Sequence, residues 1–224
     1  MLEGQKCLVI GSGISGIGAV ALLEKYHADV VLYDSSDKLT KEDLEAKLPG
    51  ESKAVCIAGE LPEEVELSIQ ATVLSPGVPT DIPLVNRMRD RGVQILGEIE
   101  LGFLAEQGRV IAITGTNGKT TTTTLTGEIM KAHFGKNKTF VVGNIGNPYT
   151  LEADKTSKDS VTVGEISSFQ LETIHTFHPV VSSILNITPD HLNRHHTMEA
   201  YVAAKEAVAS QQTKADICVL NYDN

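Results

Sequence analysis

Two glycine loops, each set between a β-branched run and a helical pattern, constrain this chain more than any other feature. The first is Gly11-Ser12-Gly13-Ile14-Ser15-Gly16 and the second is Gly115-Thr116-Asn117-Gly118-Lys119-Thr120. Such a loop lets the backbone approach a phosphate closely, and the helix that follows meets the charge with its N-terminus. A separation of about 100 residues is easiest to explain by two α/β domains. At roughly 150 residues per domain, a chain of 224 residues holds one large domain or two small ones.

The flanking patterns agree with two domains. Runs 6–10, 29–33, 53–57 and 71–74 predict strands, while 15–26, 41–48 and 83–91 predict helices. Thr40 with Asp43 forms a capping-box pattern, and Gly92 is placed as a C-cap. A second series follows: strand 109–113, helix 119–133, strands 139–142, 161–165 and 180–186, helix 198–211 and strand 217–220. Strand and helix in alternation give a parallel sheet with helices on both faces. The boundary falls near Gly97 and Glu98, dividing the chain into 1–97 and 98–224. The second series stops at Asn221-Tyr222-Asp223-Asn224, directly after a strand and without a closing helix, which reads as a truncation.

Composition narrows the function. Hydrophobic content of 41% with 21% charged residues excludes disorder and collagen-like repeats. No tryptophan and 4% aromatics leave little for a base-stacking surface, and a net charge of −10 disfavours a basic face along nucleic acid. Bound phosphate must therefore be held locally, by backbone N–H groups, a few lysines or a metal. Cys7, Cys56 and Cys218 are far apart and read as free thiols in a reducing compartment. Residues 7–23 carry no charge, but Gly11, Gly13, Gly16 and Gly18 interrupt them and Glu3 stands where a signal peptide is basic. We expect a cytoplasmic monomer that binds neither nucleic acid nor membrane.

The first loop matches G-x-G-x-x-G, and Asp34 ends the next strand about 20 residues on, placed for a ribose hydroxyl. It indicates a nucleotide diphosphate without specifying NAD. The second ends in the G-K-T of a phosphate-binding loop, although the full spacing would need glycine where Ile113 stands. Its chemistry survives the tightening: amides around 116–118 would form an anion nest, Lys119 would reach the β/γ-phosphates, and the Thr120 hydroxyl would ligate Mg²⁺. Threonines at 120–124 are poor helix formers, so hydroxyls are wanted at that helix start.

Thr114-Gly115-Thr116-Asn117-Gly118-Lys119-Thr120 resembles the ATP loop of the Mur ligases and folylpolyglutamate synthetases. Gly143-Asn144-Ile145-Gly146, the run Glu165-Ile166-Ser167-Ser168-Phe169-Gln170-Leu171-Glu172, and Pro189-Asp190-His191-Leu192-Asn193-Arg194-His195 resemble the D-glutamate-adding branch of the Mur ligases. The resemblance implies a Rossmann-like UDP-binding domain, then a truncated ATP-binding domain with a phosphate loop, and a third domain absent from this chain. It implies an ATP- and Mg²⁺-dependent ligase that joins D-glutamate to UDP-N-acetylmuramoyl-L-alanine through an acyl phosphate, with this fragment alone inactive. Phosphorylating a carboxylate brings anions together, so paired Mg²⁺ ions suit the reaction.

By the same resemblance, Gly115, Thr116, Asn117, Gly118, Lys119, Thr120 and Thr121 bind ATP. Thr120 and Glu165 serve one Mg²⁺, while His191 and a carbamylated Lys205 serve the second. Carbamylation turns an amine into an oxygen ligand and needs a depressed lysine pKa. Ile14 and Ser15 hold the uracil, Asp34 and Ser35 end the second strand beside it, and Ser75 belongs to a diphosphate-side loop. Asn144, Ser167, Gln170 and His191 complete the substrate site, and Lys119, Glu165, His191, Lys205 and Asn144 form the catalytic set. Asn193 departs from the family, which often has Asp there.

Two other classes fit parts of the pattern. A nicotinamide oxidoreductase would use G-x-G-x-x-G, Asp34 and the Tyr-x-x-x-Lys spacing of Tyr201 and Lys205, but it has no use for the loop at 115–120. Short-chain dehydrogenases would also need glycine where Ser12 stands. A non-catalytic nucleotide-binding module needs only the two loops.

Overall fold

The computed structural model describes residues 2–223; Met1 and Asn224, the outer limits of the two expected domains, lie outside the described residues. Strands β1 (Lys6–Ile10), β2 (Asp29–Asp34), β3 (Val55–Ala58), β4 (Ala71–Leu74) and β5 (Gln94–Gly97) form one sheet in the order β3-β2-β1-β4-β5. All pairs are parallel, with Val9 opposite Leu32 on one side and Val73 on the other. Cys7–Ile10 and all of β4 are buried, the continuous apolar pattern of strands covered on both faces. Connecting them are helices α1 (Ile14–Lys25), α2 (Lys41–Glu45), α3 (Glu63–Ser68) and α4 (Pro83–Asp90).

A buried helix, α5 (Glu98–Ala105), leads into the second sheet. There β6 (Arg109–Thr114), β7 (Thr139–Gly143), β8 (Val161–Glu165), β9 (Val181–Ile184) and β10 (Ile217–Leu220) run parallel in the order β10-β9-β6-β8-β7. Its helices are α6 (Lys119–Phe134), α7 (Ser168–Leu171), α8 (Leu192–His195) and α9 (Met198–Glu206). In each sheet the chain reverses its direction of strand addition beside the first strand, so β1/β4 and β6/β9 are switch points. Ligands of open parallel sheets sit in the crevice that opens there, at the carboxyl ends of the strands. Both glycine loops occupy such ends.

The two sheets share a core. One apolar cluster runs from Leu23 and Leu32 through Leu101 to Tyr149 and Phe177. Carboxylates tie α5 and its C-cap into it, those of Glu98 and Glu100 buried and that of Glu106 half-buried. Glu100 accepts from the amides of His175, Thr176 and Phe177 at 2.9, 2.7 and 3.1 Å and from the Thr176 hydroxyl at 2.5 Å. Glu106 accepts from Tyr149 at 2.8 Å and Thr162 at 2.7 Å. Across the junction Glu98 accepts from the Thr150 amide and hydroxyl at 2.7 and 2.8 Å, and Lys25 pairs with Asp154.

Sequence periodicity placed the long elements and blurred the short ones. The strand expected at 180–186 is ordered as β9 over Val181–Ile184, and the helix expected to reach 211 ends at Glu206 in a tighter turn, Ala207–Ala209. Helices α3, α5, α7 and α8 and strand β5 lie outside the elements that the sequence pattern predicts. In α5 six residues of eight are buried, so no polar face marks it as a helix. No helix among the described residues is long and apolar enough to cross a membrane.

Candidate active site

At the β1/β4 switch point lies a cleft of about 440 Å³. It gathers the first glycine loop with Ile14 and Ser15, then Asp34, the 75–78 loop, and from the second sheet Asn144 and Gln170. The loop's glycines divide the labour: a Cβ on Gly16 would stand 1.9 Å from the Gly11 carbonyl oxygen, whereas one on Gly13 would meet nothing within 4 Å. Helix–strand packing therefore demands the last glycine, and the middle one leaves room for a ligand. Asp34 accepts from the Ser12 amide at 3.0 Å and hydroxyl at 2.7 Å, and from the Ser36 amide at 3.1 Å. Burial pushes its pKa up, but these bonds and nearby Lys47 outweigh that and hold it below the usual carboxylate value. Lys47 completes the knot by donating to the Ser12 hydroxyl at 2.9 Å. Ser35 borders an adjoining cavity of about 510 Å³ with Tyr33 and Arg87. A groove of about 600 Å³ opens at the opposite end of this sheet, around Glu24, Asp29 and Lys53, and contains none of the motif residues.

The second loop follows β6. Gly118 takes φ +83° as it caps α6, a left-handed conformation that suits glycine. The nest expected at 116–118 is displaced. Asn186 occupies two of its donors: the Thr116 amide donates to the Asn186 carbonyl at 2.9 Å, and the Asn117 amide to the Asn186 side-chain oxygen at 2.9 Å. The amides of Gly118, Lys119, Thr120 and Thr121 have no acceptor among the described residues, so the free donors expected of an anion nest lie in the first turn of α6. Lys119 folds back over the loop, donating to the carbonyls of Gly115 and Thr116 at 3.1 and 3.0 Å. Thr120 and Thr121 are exposed on that turn.

Beside this loop, at the ends of β7 and β8, Asn144 and Glu165 are joined twice. The Asn144 amide donates to the Glu165 carbonyl at 2.8 Å, and its side chain donates to Glu165 Oε1 at 2.8 Å. Glu165 Oε2 is buried with no partner, an open lone-pair site on a carboxylate. Lys205, 2% exposed, donates to the Gly115 carbonyl at 2.8 Å and lies 4.7 Å from the centre of the Tyr201 ring. Burial, with Lys119 close by, pushes its pKa down to about 8, against a weaker pull from Asp190. His191 is exposed, adopts φ +52°, and packs its ring 4.9 Å from that of Phe169.

Several participants escaped the sequence reading. Asn186 and Thr188 hold the second loop, with the Thr116 hydroxyl bonded to both the carbonyl and the amide of Thr188 at 3.2 and 3.0 Å. Tyr201 joins the same hydroxyl at 3.1 Å, so Tyr201 and Lys205 face the phosphate loop rather than the Asp34 cleft where a dehydrogenase would need them. Ser167 and Gln170, expected at the substrate, form a capping box for α7, a Ser-x-x-Gln signature that was legible in the sequence. Gln170 still borders the cleft. His195 is buried against Ser168 at 2.9 Å, and burial, with Arg194, His191 and Lys205 nearby, lowers its pKa despite Glu172.

Residues 113–224 match the family described as Mur ligase middle domain, and residues 5–97 match Mur ligase MurD-like, N-terminal domain. The chain belongs to the Mur ligase family. It is 56% identical over its whole length to a UDP-N-acetylmuramoylalanine--D-glutamate ligase from Lachnospira eligens, and 53% identical over 99% of it to one from Lachnoclostridium phytofermentans. Those matches cover 49% and 48% of the two relatives, so the chain spans about half the length of the curated relatives it matches. A UDP-N-acetylmuramate:L-alanyl-gamma-D-glutamyl-meso-diaminopimelate ligase from Neisseria meningitides shares the fold, with a TM-score of 0.59, 14% identity, and coverage of 98% of this chain and 72% of that one.

Within this Mur ligase chain the donor set fits a divalent cation in one place and needs chemistry in the other. The orphaned Glu165 oxygen and the Thr120 hydroxyl are hard oxygen donors, the kind Mg²⁺ takes. Lys205 as an ammonium donates and cannot ligate; its depressed pKa makes the neutral amine accessible near pH 8. Among the described residues no three histidine, cysteine or carboxylate groups cluster as a ready-made metal site.

Proposed function

We propose that this chain is the nucleotide-handling half of an ATP-dependent amide ligase that adds D-glutamate to UDP-N-acetylmuramoyl-L-alanine in peptidoglycan precursor synthesis. One observation carries the reading: Asn144 lines the first-domain cleft and also holds Glu165 at the phosphate loop, so the two nucleotide sites meet at a single residue. The UDP end would lie against Ile14, Ser15, Asp34, Ser35 and Ser75, with the acyl end reaching Asn144 and His191. ATP would rest on the amides of Gly118–Thr121, with Lys119 turning from the loop carbonyls to the phosphates. Mg²⁺, held by Thr120 and Glu165 and, after Lys205 carbamylation, by Lys205 and His191, would neutralise the charge that builds up during phosphoryl transfer. In the reaction a carboxylate oxygen attacks the γ-phosphorus and ADP leaves; the amine of D-glutamate then attacks the acyl carbon and phosphate departs.

The chain alone is expected to bind both nucleotides without turning over, as a monomer in the cytoplasm. The test is Lys119→Ala in a protein that also carries the remaining length of the relatives. Acyl-phosphate formation should fall about a thousandfold, the order seen when one transition-state donor is removed. Affinity for the UDP substrate should not change. Undiminished turnover by this variant overturns the reading, as does saturable binding of NADH in place of UDP.

A further inference from the structure

We propose that Asn186 is the positioning residue of the phosphate loop: its side-chain amide acts as an extra rung of the parallel sheet and sets which backbone amides face a bound polyphosphate. The inference rests on the reading that this loop takes a nucleoside triphosphate.

The β6/β9 ladder pairs Thr114 with Ile184, and beyond the strand ends it continues as Leu185 N–H to Thr114 O at 3.0 Å and Thr116 N–H to Asn186 O at 2.9 Å. Asn117, one residue on, is turning towards α6, and its amide has no backbone acceptor among the described residues. The Asn186 side chain takes that place, accepting from the Asn117 N–H at 2.9 Å and donating to the Asn117 carbonyl at 3.0 Å. Only a carboxamide of this length presents a donor and an acceptor side by side; aspartate lacks the donor. Thr188 then fastens the Thr116 hydroxyl from both sides. The backbone of Thr114, Thr116 and Asn117 is thus bound to Leu185 and Asn186, the Thr116 hydroxyl to Thr188, and the first free amides begin at Gly118. Without that clamp the Thr116 and Asn117 amides would compete for the anion and the loop would lose its single conformation.

The experiment titrates the 224-residue chain with the Mg²⁺ complex of a non-hydrolysable ATP analogue and, separately, with UMP, alongside amide hydrogen exchange of the ligand-free protein. In Asn186→Ala the Thr116 and Asn117 amides should lose protection, analogue affinity should fall at least tenfold, about 1.4 kcal/mol, and UMP affinity should stay unchanged. Thr116→Val should weaken the analogue severalfold and Thr116→Ser should restore it, which separates loop placement from general damage if the alanine variant folds poorly. Wild-type analogue affinity in Asn186→Ala, or undiminished protection at Thr116 and Asn117, overturns the proposal. If the wild-type chain itself ignores the analogue, the nucleotide reading fails instead, and the exchange data still decide whether Asn186 sets the loop.

Discussion

The two glycine loops of this chain follow the first strand of their sheets in the same way, but the structure holds them in place by different means. The first is built chiefly by sterics: α1 packs so tightly on its own loop that the Gly11 carbonyl oxygen lies where a Gly16 Cβ would be, and the Ser75 hydroxyl, 64 positions on, donates to that same carbonyl at 3.2 Å. Its polar knot, Ser12 with Asp34 and Lys47, stays within 36 residues and one sheet. The second is suspended from residues 69 to 90 positions away, Asn186, Thr188, Tyr201 and Lys205, and its own glycines are not crowded by helix α6. A loop fixed by sterics resists substitution and little else; a loop hung on hydrogen bonds from another strand can be retuned by a residue that never touches the ligand.

That contrast can be broken by substitution. Gly16→Ala should cost the most, about 3 kcal/mol, because the new methyl meets backbone that cannot yield without moving α1; urea unfolding would measure it, and a loss below about 1 kcal/mol would refute the steric account. Gly118→Ala should cost less, about 1–2 kcal/mol, since the nearest atom to its Cβ is a Leu185 methyl 3.7 Å away and only the left-handed φ is penalised. A cost equal to that of Gly16→Ala would show that the second loop is as crowded as the first.

The junction between the loops makes the smallest and most pH-dependent prediction. Glu98 is buried, and burial raises its pKa although the Thr150 amide and hydroxyl donate to it; its Oε2 has no partner. With the folded pKa above the unfolded one, the folded state holds the proton more tightly, so this group's stabilisation is complete below the ordinary glutamate pKa and is lost as pH rises through the raised value. Glu98→Gln keeps an acceptor for Thr150 and removes the charge. It should therefore stabilise the protein at pH 7 by about 1 kcal/mol and change little at pH 4; denaturation curves at the two pH values check the sign, and destabilisation at pH 7 would refute it.

What could be read in advance follows the same division. The capping box of Thr40 and Asp43, the helix start at Lys119 and the strand Val161–Glu165 rest on neighbours in sequence, and each formed where periodicity put it. Ser167 and Gln170 also carry a local signal, the Ser-x-x-Gln spacing of the cap they make with each other, within a run that resembles a family motif. Helix α5 was invisible because its carboxylates are buried on partners about 50 to 77 residues away, and no sequence window of helical length contains both ends of those bonds.

By itself, then, the amino-acid sequence determined two parallel α/β sheets and a glycine loop after the first strand of each, because strand pattern, glycine geometry and helix starts are short-range matters. Tertiary structure alone decided that the amides of the second loop left without an acceptor among the described residues begin at Gly118, that Lys205 lies buried over Gly115 with a weakened hold on its proton, and that Asn144 lines the first cleft while holding Glu165. Those outcomes depend on burial and on hydrogen bonds between strands brought together only by folding.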